Sequence, residues 1–235
     1  MRGCVGCLDG LLVRIKTPSK KDAPNAQSFF SGHYQAIGLN VQACCDHLGR
    51  FTFLAVAAPG SSSDLRAYEL SSLKRMVERL PPGTFVVGDN AYTPSENLLT
   101  PFSGSQRDNP KNNNFNFFLS QLRIKIEMAF GLLTNKWRIL QSPLVCKLKT
   151  SSNVIATASI LHNFIINQGD ATANDDNVAR MFTQEGRPLG YVPSDISFAR
   201  TSGDSVLRER IVKNIDRMNV ARPTYNVNRN ANRDN

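Results

Sequence analysis

Residues 81–94 read PPGTFVVGDNAYTP. The proline pair and Gly83 stop whatever precedes them. Phe85, Val86 and Val87 then form a short run of β-formers, which Gly88, Asp89 and Asn90 end. A buried strand finishing on a carboxylate is one reading; a strand-end turn at Asp89-Asn90 with no chemistry is the other. What this strand joins depends on its surroundings. Just upstream, PGSSSDL (residues 59–65) places serines and Asp64 to cap a helix. That helix is expected to run to about residue 80 through Leu65, Tyr68, Leu73, Met76 and Leu80. Further back, QAIGLNVQACC (35–45) alternates, with Ile37, Leu39, Val41 and Ala43 on one face. DHLGR turns at His47–Gly49, and FTFLAVAAP (51–59) returns, which is a hairpin pattern. Residues 4–16, CVGCLDGLLVRIK, are short and mostly apolar, as in a buried strand or strand pair. The loop formers of TPSKKDAPNAQSFFSG (17–32) separate them from the hairpin.

The order is therefore strand, strand, strand, helix, strand. The first three pair as an antiparallel meander. The helix crosses over, so the strand at 84–89 can lie parallel to the first. Such a sheet collects strand ends, and with them ligand sites, at one edge. The fold class expected is α/β, with a mixed sheet flanked by helices.

Downstream, TPFSGSQRDNPKNNN (100–114) is a polar loop. In FNFFLSQLRIKIEMAFGLLTNKWRIL (115–140), Leu122, Ile126, Phe130, Leu133 and Trp137 recur at helical spacing. This predicts a long amphipathic helix that tolerates Gly131. TSSNVIATASILHNFIIN (150–167) predicts a second helix, apolar nearly all round and hence buried. The expected organisation is one domain over residues 1–168, an irregular linker over 169–202, a basic amphipathic helix over 203–218 and a disordered tail over 219–235. Leu207, Ile211, Ile215 and Met218 should share the apolar side of that last helix.

Composition narrows the function. The chain has 235 residues, of which 41% are hydrophobic, enough for a sizeable core. No apolar run approaches the ~18 residues of a membrane span. The opening MRGCVGCLDGLLVRIK lacks the apolar block and cleavage site of a signal peptide. Five cysteines, an odd count, suit a reducing compartment. Cys4 and Cys7 form a C-x-x-C without a second ligand pair at zinc spacing, so burial is the reading for them. A net charge of +9 favours a polyanionic partner, most simply nucleic acid.

Against that basic background three acids stand out. Asp9 lies in the first strand, Asp89 ends the fourth, and Glu127 follows the core position Ile126 on the long helix. If the first and fourth strands are neighbours, their acids lie side by side and the helix adds the third. Converging carboxylates repel, and divalent cations relieve that repulsion. Mg²⁺ suits oxygen donors and accepts phosphate oxygens in the rest of its shell. Each acid also has a plainer reading. Asp9-Gly10 is a common turn pair, and Glu127 stands four residues after Arg123, as a helix ion pair would.

Several stretches, in order, resemble the transposases of the PIF/Harbinger class and the nucleases derived from them. These are CLDG (7–10), LNVQACCDHLGRF (39–51), PGSSSD (59–64), GDNAY (88–92), LLTPF (98–102) with the helix carrying Glu127, and ILHNF (160–164). The resemblance spans roughly residues 4–168. It implies an RNase H-like fold, with a mixed five-stranded sheet, and a catalytic triad of Asp9, Asp89 and Glu127. It implies Mg²⁺ or Mn²⁺ held by those three carboxylates, DNA as substrate, and phosphodiester cleavage followed by strand transfer. It also implies a Myb-like DNA-binding partner protein and a nuclear location, or the cytoplasm without that partner. Two departures are visible. Asp9 stands too near Met1 for the helix-turn-helix region that family members carry before it, and Leu11-Leu12 replace a polar pair after Asp-Gly.

Secondary candidates complete the reading. Asp64 aligns with a recurring family acid and is an accessory candidate; its alternative is the helix N-cap. Arg123, Lys125, Lys136 and Arg138 flank Glu127 and are candidates for contact with nucleic-acid phosphates, with Lys147 and Lys149 extending them. His162 reads as a satisfied core or cap histidine. Tyr92 is expected to brace the turn after Asp89. The rival function is a transposon-derived module that binds DNA or protein and has lost catalysis; a generic RNA-binding protein would not need the three acids.

Overall fold

A computed structural model describes residues 1–169 and 206–219 of the chain. Of the expected linker only Gly169, and of the expected tail only Asn219, fall within those residues. The strands are β1 (Cys4–Arg14), β2 (Phe30–Ser31), β3 (Ala36–Cys45), β4 (Phe51–Pro59), β5 (Phe85–Val87) and β6 (Leu98–Leu99). The helices are α1 (Asp64–Leu70), α2 (Ser72–Glu78), α3 (Pro110–Lys136), α4 (Leu148–Asn167) and α5 (Val206–Met218).

Apart from β2, the strands form one mixed sheet in the order β4-β3-β1-β5-β6. β1, β3 and β4 make the antiparallel meander; β5 and β6 run parallel to β1. This is an RNase H-like arrangement. The sheet has six strands where five were expected, because the two-residue β2 pairs with the start of β3 beyond the reach of β4. Two-residue strands leave no alternation to read, so β2 and β6 carry no sequence signal of their own.

Each face of the sheet has its own core. On one side Cys7, Val13, Val41, Ala43, Phe85, Val87 and Leu99 pack with Phe115, Leu119, Ile126, Phe130 and Leu133 of α3. On the other, Leu8, Cys44, Val86, Tyr92 and Leu98 pack with Tyr68, Leu73 and Val77 of α1 and α2. Alternation along β1 explains the division, because Cys7 and Leu8 must point to opposite faces.

The crossover helix is broken where one continuous helix was expected. Ser71 sits in extended backbone, and its Oγ accepts a hydrogen bond from Leu73 N, starting α2 afresh. A serine prefers capping to mid-helix placement because its hydroxyl competes for backbone partners. α3 begins five residues earlier than its apolar stripe suggested. Asn109 caps it by accepting from Lys111 N at 3.0 Å, and Pro110 takes the first helical position, where its missing N–H costs nothing.

Two helices depart from expectation. α4 is not buried all round: Ile160 is 68% and Phe164 58% exposed on its outer side. Its inner side carries Ile155, Ala158 and His162. α5 packs against α3, and Leu207, Ile211, Val212 and Ile215 join the same core as the sheet. Arg208 is buried, with its guanidinium 4.0 Å from the centroid of Phe102. Lys111 and Asp216 close the contact at 2.7 Å. Met218, expected on the apolar side, is instead exposed at the helix end.

His162 is a satisfied core histidine. Its Nε2 donates to the Gly49 carbonyl at 2.9 Å, and its ring packs on Phe51. Burial lowers its pKa below the ordinary value of 6.5, opposed in part by the Gly49 bond. The folded protein therefore holds His162 neutral where the unfolded chain takes up a proton. Its contribution to stability is complete above about pH 6.5 and is lost as pH falls below it, by at most about 1.4 kcal/mol per pH unit. Urea unfolding at pH 7.5 and 5.5 should show a steeper loss for wild type than for His162→Gln.

Candidate active site

β1 runs straight through Asp9 and Gly10. Asp9 is paired with Ala43 and Gly10 with Gln42, which excludes the turn reading of Asp9-Gly10. On the other side of β1, Cys7 is registered against Val87 of β5. Asp9 lies two residues on from Cys7 inside β1, and Asp89 two residues on from Val87, just past the end of β5, near enough for its charge to act on Asp9. Both are buried, at 5% and 6% exposure. The Asp89 carboxylate accepts from Ala91 N at 2.8 Å, so the strand-end turn read at Asp89-Asn90 is present as well. The turn and the acidic position coexist in one residue.

α3 crosses this face. The Cys7 thiol donates to the Leu122 carbonyl at 3.0 Å, which brings the next turn of α3 over β1. Asp9, on the same face as Cys7, meets that turn. The guanidinium of Arg123 stands between two acids, with Nη2 3.9 Å from Asp9 Oδ2 and 3.6 Å from Glu127 Oε1. The side chains of Arg123 and Glu127 are each 15% exposed. The helix pairing of Arg123 with Glu127 read from their spacing is thus present, turned into the site instead of into solvent. Lys125, Lys136, Arg138, Lys147 and Lys149 are exposed.

A fourth acid reaches the site from behind. Asp64 is the first residue of α1, and Ser63, not Asp64, is its N-cap, accepting from Arg66 N at 3.4 Å. The freed Asp64 carboxylate turns toward the sheet. It accepts from Asn40 Nδ2 at 2.9 Å and from Gln42 Nε2 at 3.2 Å. It fills the space over Gly10: a Cβ on that glycine would lie 2.0 Å from Asp64 Oδ1. Tyr92, buried after Asp89, donates to Gln42 Oε1 at 2.9 Å and so braces the turn through the sheet. Asn40 and Gln42 were not among the sequence candidates. Their signal was available: two amides at alternate positions of a strand whose other face is apolar need polar partners.

Electrostatics bind these groups together. Burial raises the Asp9 pKa well above its ordinary value, and the charges of Asp89 and Asp64 add to the rise, while Arg123 opposes it. Asp64 is raised by burial and by Asp89, with the Asn40 and Gln42 hydrogen bonds opposing. Tyr92 is raised by burial and by the same three aspartates. Four elements have therefore brought negative charge into a dry corner of the molecule that gains by any cation it can hold.

By donor chemistry these residues fit a hard divalent cation, since every candidate ligand is a carboxylate. By position the fit is not closed: among the described residues no three His, Cys, Asp or Glu side chains converge into a group that holds a metal as they stand. The cation that bridges Asp9 and Glu127 is Arg123. All five cysteines are free thiols. No described helix is long and apolar enough to cross a membrane.

An RNase H-like sheet with one acid buried inside β1 and another just past the end of the adjacent parallel β5 defines a nuclease-like α/β class. The chain belongs to the DDE superfamily endonucleases, whose family model matches residues 8–163. That family makes this a nuclease or transposase-derived domain. Comparison with curated proteins and with solved structures returned no match.

Proposed function

We propose that this chain is a divalent-metal-dependent DNA endonuclease core of the PIF/Harbinger kind, with Asp9, Asp89 and Glu127 as its metal-holding carboxylates. The observation that carries the reading is the burial of Asp9, inside β1, near Asp89, just past the end of the adjacent parallel β5, within a domain matched to the DDE endonucleases. Acids placed there are costly unless a cation joins them. Bound Mg²⁺ or Mn²⁺ supplies charge neutralisation at the phosphate and a water of lowered pKa.

The remaining work falls to the chain itself. Asp9 and Asp89, fixed on the sheet, set the position of the reacting phosphate; Glu127, on α3, closes the site from the opposite side. Asp64 and Tyr92 hold β1, β3 and the Asp89 turn in register through Gln42 and Asn40. In the reaction a water oxygen bonds to phosphorus as the bond to the 3′ oxygen breaks. One proton of the attacking water leaves to solvent and the departing 3′ oxygen takes one up from solvent, so the products are a 3′-hydroxyl and a 5′-phosphate. In strand transfer the freed 3′-hydroxyl replaces water as nucleophile. The exposed Lys125, Lys136 and Arg138 are suited to DNA phosphates, which position a duplex without reading its sequence. Target choice then belongs to a Myb-like partner, in the nucleus. The carboxylates carry the catalytic reading over that of a binding module without catalysis, which has no need of them.

The test is nicking of supercoiled plasmid with added Mg²⁺ or Mn²⁺, with chelator, and with Asp89→Asn. Cleavage only in the first case is expected. Equal cleavage in all three would end the metal-site reading. Salt-sensitive DNA binding with no cleavage in any would favour the binding module.

A further inference from the structure

We propose that Arg123 is a counter-ion gate: its guanidinium takes the cation's place between Asp9 and Glu127 and must swing out before a divalent ion can enter. The gate rests on the metal site proposed for Asp9, Asp89 and Glu127. Three observations lead to it. The guanidinium lies within 4 Å of both acids, at 3.9 and 3.6 Å, and so occupies the space between them. The three side chains are nearly dry, at 15%, 8% and 15% exposure for Arg123, Asp9 and Glu127, so the contact is not a solvated surface pair. And the acids of the site do not converge on a single point as they stand, so a metal-loaded arrangement requires a rearrangement that this arginine opposes.

Asp9, Asp89 and Asp64 repel one another in a buried corner, and without a cation that corner is strained. Arg123 relieves part of the strain, and it is placed to do so by its four-residue spacing from Glu127 on α3. A guanidinium and a divalent cation a few ångströms apart repel strongly, so the two do not share the space. The side chain needs an anion to move to. A phosphate oxygen pair offers the guanidinium a bidentate partner in place of its two single contacts with the acids. Metal entry and arrival of a phosphate backbone are thereby coupled, and coupling of this sort is reciprocal. Arg123 is a positioning residue, acting through the acids it releases.

Mn²⁺ binding to the full chain without DNA separates the outcomes, read as free Mn²⁺ by electron paramagnetic resonance. Wild type, Arg123→Gln, Arg123→Lys and Asp89→Asn are compared, each with its melting temperature with and without Mn²⁺. Arg123→Gln should bind Mn²⁺ at least tenfold tighter than wild type. It should melt lower without metal and gain more on adding it. Arg123→Lys, which keeps the charge, should stay near wild type. An arginine serving only to hold α3 on the sheet would give the reverse, since its loss would loosen Asp9 and Glu127. Equal or weaker Mn²⁺ binding by Arg123→Gln, with binding by wild type lost in Asp89→Asn, overturns the gate and leaves the metal site standing. Absence of Mn²⁺ binding in wild type and Arg123→Gln alike removes the metal site, and the gate with it.

Discussion

Asp9→Asn is expected to give a protein that melts higher than wild type and no longer nicks DNA. The two effects have one origin. Burial first, then the charges of Asp89 and Asp64, raise the Asp9 pKa despite Arg123. A carboxyl whose pKa is raised on folding contributes its full stability below its unfolded pKa, near 3.9, and loses it as pH rises through the folded value. At neutral pH the ionised form of Asp9 is therefore a burden on the fold. Asparagine keeps the shape, and its Oδ1 can still accept from Gly10 N, as the carboxylate does at 2.8 Å. It removes one charge from the cluster. A gain of about 0.5–2 kcal/mol is expected, the usual scale for a single stabilising substitution. Against it stands loss of a carboxylate proposed to hold the metal, on the order of a hundredfold to a thousandfold in nicking rate. Differential scanning calorimetry at pH 7.5 and a plasmid assay check both. The stability gain should shrink as pH falls toward 4, and Mn²⁺ should raise the melting temperature of wild type more than that of the variant. A variant that is inactive and also less stable than wild type would mean that Asp9 is held by its ion pair with Arg123 more strongly than it is repelled.

Gly10→Ala should be the most damaging conservative change near the site. The new methyl would lie 2.0 Å from Asp64 Oδ1, 2.7 Å from its Cγ and 2.9 Å from Gln42 Nε2. Asp64 cannot yield without giving up its bonds from Asn40 and Gln42, and Gln42 cannot yield without releasing Tyr92. Overpacking of this kind costs about 1–3 kcal/mol, and here it also shifts the strand residue next to Asp9. Nicking should fall by about tenfold or more in a protein that still folds. The companion variant is the double change Gly10→Ala with Asp64→Ala. Removing the carboxylate makes room for the methyl, so the double variant should recover most of the stability lost by the single one. If the double variant is as unstable as the sum of its parts, the clash is not the cause.

Gly10 also marks the limit of what the amino-acid order makes legible. The Asp-Gly pair in CLDG was legible as a strand position carrying a candidate acid, yet the need for glycine was not. It comes from Asp64, fifty-four residues later, pressing on the other face of the strand. The sheet order was legible because it follows from local patterns and one rule, that the crossover helix makes β5 parallel to β1. The adjacency of Asp9 and Asp89 came with it. Arg123 was a different matter. Its spacing from Glu127 fixed the two on one helix face, but whether that face meets solvent or the sheet depends on how α3 is set down. The thiol of Cys7 on the Leu122 carbonyl is a tertiary contact with no local trace. α4 misled for a related reason. A stripe of Ile160, Leu161 and Phe164 reads as core material, and hydrophobicity alone does not tell an inner face from an outer one. The burial of Arg208 against Phe102 runs the other way, a charged residue placed where apolar neighbours were expected.

The position of β1 has a consequence in time. It is the first strand of the sheet to be made, yet it lies in the middle, between β3 and β5. Its antiparallel side can be satisfied as soon as residue 45 is available. Its parallel side waits for Val87, and the acid at residue 127 comes later still. During synthesis the half-formed sheet exposes the backbone edge of β1 until the crossover is complete, and pairings so distant in sequence form slowly. The proposed metal site cannot form in the growing chain until α3 has been laid across the sheet. The proposed site, assembled in this order, stays incomplete while the residues before α3 are still being translated.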